Sequence, residues 1–261
     1  MPISKAVGPN SIPTSILKNY IEQLIDPVLS ILNKSLAEGT FPDLLKFASV
    51  CPIYKKDDRT KCANYRPISL LSNLSKIFER AMYNRIELFL TEFNTIYKLQ
   101  FGFRKNHSTE HALLSIVEEI RNNLDNGVFT CGVFVDLEKA FDTVNHEILL
   151  SKLNHYGIRD NALSWVQSYL TNRKQFVSLN GSKSKNESIS CGVPQGSILG
   201  PLLFIIYIND MHRAVISSVV HHFADDTNLL FSRKNPKLIT KLLNKDLRQT
   251  ASHSKSLKRN S

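Results

Sequence analysis

Residues 128–136 (VFTCGVFVD) constrain the fold more than any other stretch. They are almost continuously apolar and β-branched, and they end in a carboxylate, Asp136. Such a run predicts a central strand buried on both faces. A charge at the buried end of a strand is costly unless it is paired or bound to a cation. The same conflict recurs further on. Residues 219–224 and 227–231 are β-prone runs joined at Asp225-Asp226, a strand–turn–strand pattern with apolar flanks, Phe223-Ala224 and Leu229-Leu230-Phe231. Two adjacent aspartates repel each other, and a divalent cation is the natural compensator. Hard oxygen donors without a His or Cys ligand cluster beside them favour Mg²⁺, which takes one or two carboxylates plus substrate phosphates. If Asp136 and the hairpin tip lie side by side on one sheet, they can hold two ions about 3.5–4 Å apart, an arrangement for in-line attack at phosphorus. Consecutive strand residues point to opposite faces, so Asp225 is expected to be the main ligand of the adjacent pair. The pattern alone is also met by a solvated hairpin turn with Asp136 capping a helix.

Strands and helices interleave along the rest of the chain. Up to Leu45 the sequence reads as helices broken by Pro9, Pro13, Pro27 and the segment from Gly39 to Pro42. Residues 48–54 read as a strand, followed by a basic turn containing Lys55 and Lys56. Residues 67–71 lead into a helix over 75–90 with Ile77, Met82, Ile86 and Phe89 roughly at helical spacing. Ser108 or Thr109 caps the next helix, whose stripe is Ala112, Leu113, Ile116, Val117, Ile120 and Leu124, and Asn126-Gly127 stops it. A helix over 147–156 ends at Gly157. Residues 175–180 and 187–190 flank a polar turn at Gly181, and Ser197 with Pro201 opens a strongly apolar helix running to about Met211. Trp165, Leu163, Val166 and Leu170 read as core. A helix is expected over 235–249. This mixture predicts an α+β fold rather than an all-α one or a regular βαβ wind.

Composition narrows the class. Among 261 residues, 42% are hydrophobic and 21% charged, enough to bury a core and exclude a disordered chain. The formal net charge of +10 fits either a solvated basic surface or a polyanionic partner such as nucleic acid. Cys51, Cys62, Cys131 and Cys191 form no C-x-x-C pair and read as thiols in core or surface positions. No apolar run reaches the roughly 18 residues a bilayer span needs, and the first residues lack a secretory apolar stretch, so a soluble intracellular chain with no membrane partner is expected.

Several motifs then fall in one order: Tyr65-Arg66-Pro67-Ile68-Ser69-Leu70, Phe101-Gly102-Phe103-Arg104, Phe134-Val135-Asp136-Leu137-Glu138-Lys139-Ala140-Phe141-Asp142, Gly192-Val193-Pro194-Gln195-Gly196-Ser197 and Phe223-Ala224-Asp225-Asp226. Together they resemble the finger and palm motifs of reverse transcriptases of the non-LTR (LINE-type) retrotransposon branch, over about residues 8–249. The resemblance implies an RNA-directed DNA polymerase using an RNA template, a DNA primer and dNTPs. It implies a right-hand palm and fingers, with an antiparallel palm sheet packed on helices and the thumb lacking. Asp136, Asp225 and Asp226 would bind two Mg²⁺ ions, with Mn²⁺ as a substitute. Phe141 matches the sugar gate, a bulky ring that would clash with a ribose 2′-OH. Gln195 matches the residue lining nucleotide and template, beside Gly192 and Gly196, which allow close backbone approach. Arg66 corresponds to the finger arginine at the triphosphate, where its fork suits phosphate oxygens. Arg104 is assigned to template or to fold support.

The resemblance further implies a helical finger extension over 1–45, fingers and palm over 46–250, and a disordered basic tail over 251–261. The family's continuation after Phe231 is not matched, so a truncated or shifted reading frame, a weak grip on duplex and non-processive synthesis are expected, and localisation to the nucleus follows from the family alone. The alternative is a catalytically inactive retroelement remnant that only binds nucleic acid. A third reading rests on His107, Glu110 and His111, which match an inverted zinc-peptidase pattern too loose to stand without a distal ligand. His221-His222 reads as packing or solvent-facing.

Overall fold

A computed structural model describes residues 8–9, 11–137, 139–179 and 181–258, the last eight as helical backbone alone. The chain forms two compact units, one built from residues up to Leu88 with His146–Gly200, the other from Phe89–Asn145 with residues from Pro201 onward. The segments of the two units alternate along the chain, and they cut across the linear division at 45 and 250 that the resemblance implies.

The first unit opens with helices α1 (Thr14–Asn19) and α2 (Ile21–Glu38). Pro27 lies inside α2 and does not break it; the position is exposed, so the carbonyl left without its donor stays open to water. Gly39, at φ 64°, ends α2 in the left-handed conformation that a side chain disfavours. Strand β1 (Phe47–Tyr54) pairs antiparallel with β2 (Tyr65–Leu70), a strand where only a lead-in to helix α3 (Asn73–Glu92) is expected. Pro67 is tolerated there because β2 lies at the sheet edge. After α5 (His146–His155) and α6 (Asp160–Leu170), β4 (Arg173–Leu179) runs parallel to β1, and β5 (Ser182–Lys183) and β6 (Glu187–Ile189) both fold back on β4. Between α2 and α6, Phe41 is fully buried and meets Trp165 and Tyr169 edge-on, each with centroids 5.1 Å apart. The Trp165 indole donates to Ser35 Oγ at 2.9 Å, which satisfies its buried N–H.

In the second unit, helix α4 (Thr109–Asp125) is capped as expected: Ser108 accepts the His111 N–H, and Gly127 follows it at φ 64°. Strand β3 (Phe129–Val135) is followed by α7 (Gly200–Ile208), β7 (Ser218–Phe223), β8 (Asp226–Arg233) and α8 (Pro236–Lys258). The sheet is antiparallel in the order β3-β8-β7. Strand β3 is thus an edge strand and not the doubly buried central strand its composition suggests. Its Cys131, Val133 and Val135 pack on a core of Val215, Val220, Leu229, Phe231 and Ile239, with Leu243 and Leu247 of α8 alongside. On the opposite face Phe134 is 77% exposed. Helix α4 lies on that opposite face, where Asn123 donates to Ser232 Oγ at 2.8 Å and Glu119 meets His221 at 2.8 Å. A side chain every second residue therefore serves two different environments, which a nearly continuous apolar run conceals.

Helix α8 reaches Lys258, so helical backbone covers most of the stretch expected to be a disordered tail; residues 259–261, like 1–7 of the expected helical extension, lie outside the described residues. The four cysteines are free thiols. Among the described residues, no helix is long and apolar enough to cross a membrane.

Candidate active site

Strand pairing decides where the carboxylates go. Val135 pairs with Thr227 at the end of the β3–β8 ladder, so the next residue on each strand, Asp136 and Asp226, face each other across its end. Phe223 pairs with Asp226, leaving Ala224-Asp225 as a two-residue turn between β7 and β8. The turn therefore sits one residue earlier than the expected Asp225-Asp226, and Asp226 belongs to the strand. Ala224 lies at φ 57°, in the left-handed region that a two-residue hairpin demands and a side chain disfavours. Asp136 and Asp226 are exposed and Asp225 is half-buried. Partial burial, and then the negative charges of Asp225 and Asp136, push the Asp226 carboxyl above its ordinary range. Asp226 thus feels the charge of its neighbour Asp225 and of Asp136 from a distant segment at one end of one sheet.

That arrangement suits a hard divalent cation in its chemistry, because oxygen donors with mutual repulsion gain from neutralisation. Among the described residues no group of three His, Cys, Asp or Glu side chains closes on a single point tightly enough to hold an ion unaided. The same observation covers His107, Glu110 and His111, whose two imidazoles lie 6.4 Å apart between centroids.

Phe141 lies in the 3-10 turn Ala140–Thr143 just beyond Asp136. Its ring stacks on Phe204 of α7 with centroids 4.7 Å apart and meets Phe103 edge-on at 5.9 Å, so two aromatic neighbours hold it. Arg104 is not directed at solvent: its Nη1 donates to the carbonyls of Gln100 at 3.0 Å and Tyr97 at 3.3 Å, the fold-supporting alternative of its two expected roles. The histidines after β7 begins are both buried, His221 against Glu119 and His222 against the Thr227 hydroxyl at 3.0 Å.

The remaining expected site residues belong to the first unit. Gln195 and Gly196 occupy the loop before α7, where the Gln195 carbonyl accepts the Ser69 N–H of β2. Gly196 is at φ 111°, and a Cβ there would stand 2.7 Å from the Ser69 carbonyl oxygen, so only glycine fits. Ser197 Oγ donates to the Pro194 carbonyl at 2.8 Å and accepts the Gly200 N–H at 2.9 Å. Arg66 sits exposed on edge strand β2, with Ile53 of β1 as its cross-strand neighbour.

A residue that sequence reasoning passed over supports this loop. Glu79 of α3 is fully buried, yet its carboxylate accepts the N–H groups of Ile198 at 2.7 Å and Leu199 at 3.2 Å and the Ser75 hydroxyl at 2.9 Å. Burial raises its pKa, opposed by the charge of Arg173 and by these hydrogen bonds. Between Lys76, Arg80 and Arg85 it reads as part of a solvated face, and nothing local distinguishes it.

An antiparallel sheet with helices on both faces, a carboxylate hairpin and a second mixed sheet define an α+β protein. The solved structure of an apo telomerase from Candida tropicalis, truncated from its C-terminal domain, shares this fold with a TM-score of 0.53 at 13% identity, covering 87% of this chain and 51% of that one. The chain belongs to the reverse transcriptase (RNA-dependent DNA polymerase) family, whose model matches residues 53–258. It is 35% identical over 243 residues to the RNA-directed DNA polymerase from mobile element jockey of Drosophila melanogaster, covering 90% of this chain and 26% of that protein. It is 33% identical over 246 residues to the probable RNA-directed DNA polymerase from transposon BS of the same species, covering 89% and 26%. The chain thus spans about a quarter of the length of these curated relatives.

Proposed function

We propose that this chain is the polymerase core of a non-LTR retrotransposon reverse transcriptase, adding dNTPs to a DNA primer on an RNA template. The observation that carries the proposal is the register that sets Asp136 opposite Asp226, beside Asp225, with the Asp226 carboxyl raised by partial burial and then by the charges of Asp225 and Asp136. In this reading the three-stranded sheet is the palm and the aspartates hold two Mg²⁺ ions, or Mn²⁺ in their place. Bound there, the metal supplies charge neutralisation for the triphosphate and lowers the pKa of the primer 3′-hydroxyl. The carboxylates fix where positive charge gathers at the sheet end. Phe141, wedged between Phe204 and Phe103, cannot swing aside, so it blocks the space a ribose 2′-OH needs and admits deoxyribose. The resemblance further assigns Gln195 and Gly196 to nucleotide binding and Arg66, whose fork suits phosphate oxygens, to the triphosphate.

Purified protein given an RNA template, a DNA primer, dNTPs and Mg²⁺ should extend the primer, and Asp225→Asn should reduce extension by about 10³-fold or more, as expected for loss of a group acting on developing phosphoryl charge. Phe141→Ala should admit ribonucleotides in the same assay. Absence of extension by the unaltered protein, with salt-sensitive RNA binding retained, would replace this reading with that of a remnant that only binds nucleic acid.

A further inference from the structure

Gln100 and Gly102 are left without a task by the roles above, and in the second unit they reach the carboxylate hairpin. Gln100 is 2% exposed, and its side-chain Oε1 accepts two backbone N–H groups, from Gly102 at 2.8 Å and from Ala224 at 3.2 Å. Two N–H donors converging on one atom identify that atom as the amide oxygen. The backbone on either side is tied to β7: the His222 N–H donates to the Leu99 carbonyl at 2.9 Å, and the Phe101 N–H to the His222 carbonyl at 2.8 Å. Gly102 then passes so close that a Cβ on it would stand 2.0 Å from the Ala224 nitrogen. Arg104 closes the arrangement by donating to the Gln100 carbonyl. The Gln100 oxygen and Gly102 bear directly on Ala224, the strained residue immediately before Asp225.

We infer that Gln100 is a positioning residue for Asp225: its buried amide oxygen holds the Ala224 N–H and so keeps the left-handed turn from which Asp225 projects. The inference rests on the reading of Asp225 as a residue that holds the metal, and it explains why a glutamine is buried here at all. Left-handed alanine persists only where its surroundings over-determine it. The Ala224 N–H is buried and inside a turn, where no ladder partner exists for it, so the Gln100 oxygen is the group that makes this conformation the stable one. Gly102 supplies the room that lets the oxygen reach.

The test uses the full chain and begins without substrate. In Gln100→Leu, amide hydrogen exchange at Gly102 and Ala224 should quicken by about tenfold or more, while amides of the β3–β8 ladder keep their protection. Gln100→Glu, which retains an acceptor oxygen, should restore most of that protection. Gly102→Ala leaves Gln100 in place but pushes on Ala224, and should produce the same local loosening. In the extension assay Gln100→Leu should lower kcat by about 10–100-fold with primer–template affinity nearly unchanged, the effect of displacing a reacting group by about an ångström. Unchanged exchange at Ala224 in Gln100→Leu, or equal loosening of the whole sheet, would overturn the inference. If the variants show this exchange pattern while the unaltered protein extends no primer, the result would instead count against the proposed function, so the two failures are distinguishable.

Discussion

His222 shows how one side chain next to the site carries a measurable consequence. Burial first, and then the nearby His212 and His221, push its pKa down from the ordinary 6.5 to about 4. Its Nδ1 lies 3.0 Å from the Thr227 hydroxyl and its ring stands 6.2 Å from Tyr97. The folded chain thus resists protonation while the unfolded chain accepts it. Stability should be full above about pH 6.5 and fall progressively toward pH 4, by at most about 3 kcal/mol from this group. His222→Phe should flatten the decline of Tm with falling pH across that window; calorimetry at four or five pH values decides it, and an unaltered slope would refute this assignment. Asp136, Asp225 and Asp226 were legible as residues because each carboxylate interrupts apolar, β-prone sequence. Glu79 and Gln100 were not. Their partners lie 119 and 124 positions away, and a lone Glu in a charged helix or a lone Gln before an apolar pair carries no local mark.

Among elements, α8 departs most from its sequence. Its apolar positions Ile239, Leu243 and Leu247 pack on the sheet core, and its buried Asp246 accepts the Ser217 N–H at 2.9 Å and the Ser218 hydroxyl at 3.0 Å. Docked in this way, the helix displays Lys237, Lys241, Lys245 and Arg248 on its exposed side, a spacing of four, four and three residues that makes one ridge. A fixed ridge of cations can follow a phosphate backbone where loose charge cannot. Replacing all four by Gln should weaken RNA and DNA binding across sequences and flatten the plot of log affinity against log salt by up to about 3–4 in slope. Fluorescence anisotropy over a salt series checks this, and an unchanged slope would show that α8 does not touch nucleic acid. Where capping is local the sequence marks helix ends, as at Ser108, Gly127 and Gly157, whereas Pro27 breaks no helix and the helix expected from Ser197 to about Met211 runs Gly200–Ile208. Strand environment fared worse. Composition assigned β3 to the centre of a sheet, whereas β8 holds the centre and β3 the edge.

At the scale of the whole chain, two units are each assembled from segments that the sequence separates, the first resuming at His146 and the second at Pro201. Each has its own buried core, so truncating one should be felt there first. Leu153→Ala in the first unit and Leu229→Ala in the second each remove a fully buried side chain and should cost about 2–5 kcal/mol. Urea unfolding measures the cost, and hydrogen exchange should locate the fastest amides in the unit that carries the substitution. Equal acceleration in both would show that they unfold as one body.

Sequence by itself determined what is local: where helices start and stop, which runs favour strands, and that three carboxylates sit against apolar neighbours. Their order, read with the flanking motifs, was enough to identify the family. Tertiary structure alone decided the register that brings Asp136 to Asp226, the exposure of one face of β3, and the buried amide that holds Ala224. Capping and periodicity arise between residues a few positions apart and are written in adjacent letters. Strand register and buried hydrogen bonds join residues about a hundred positions apart, and they exist only once the chain has closed on itself.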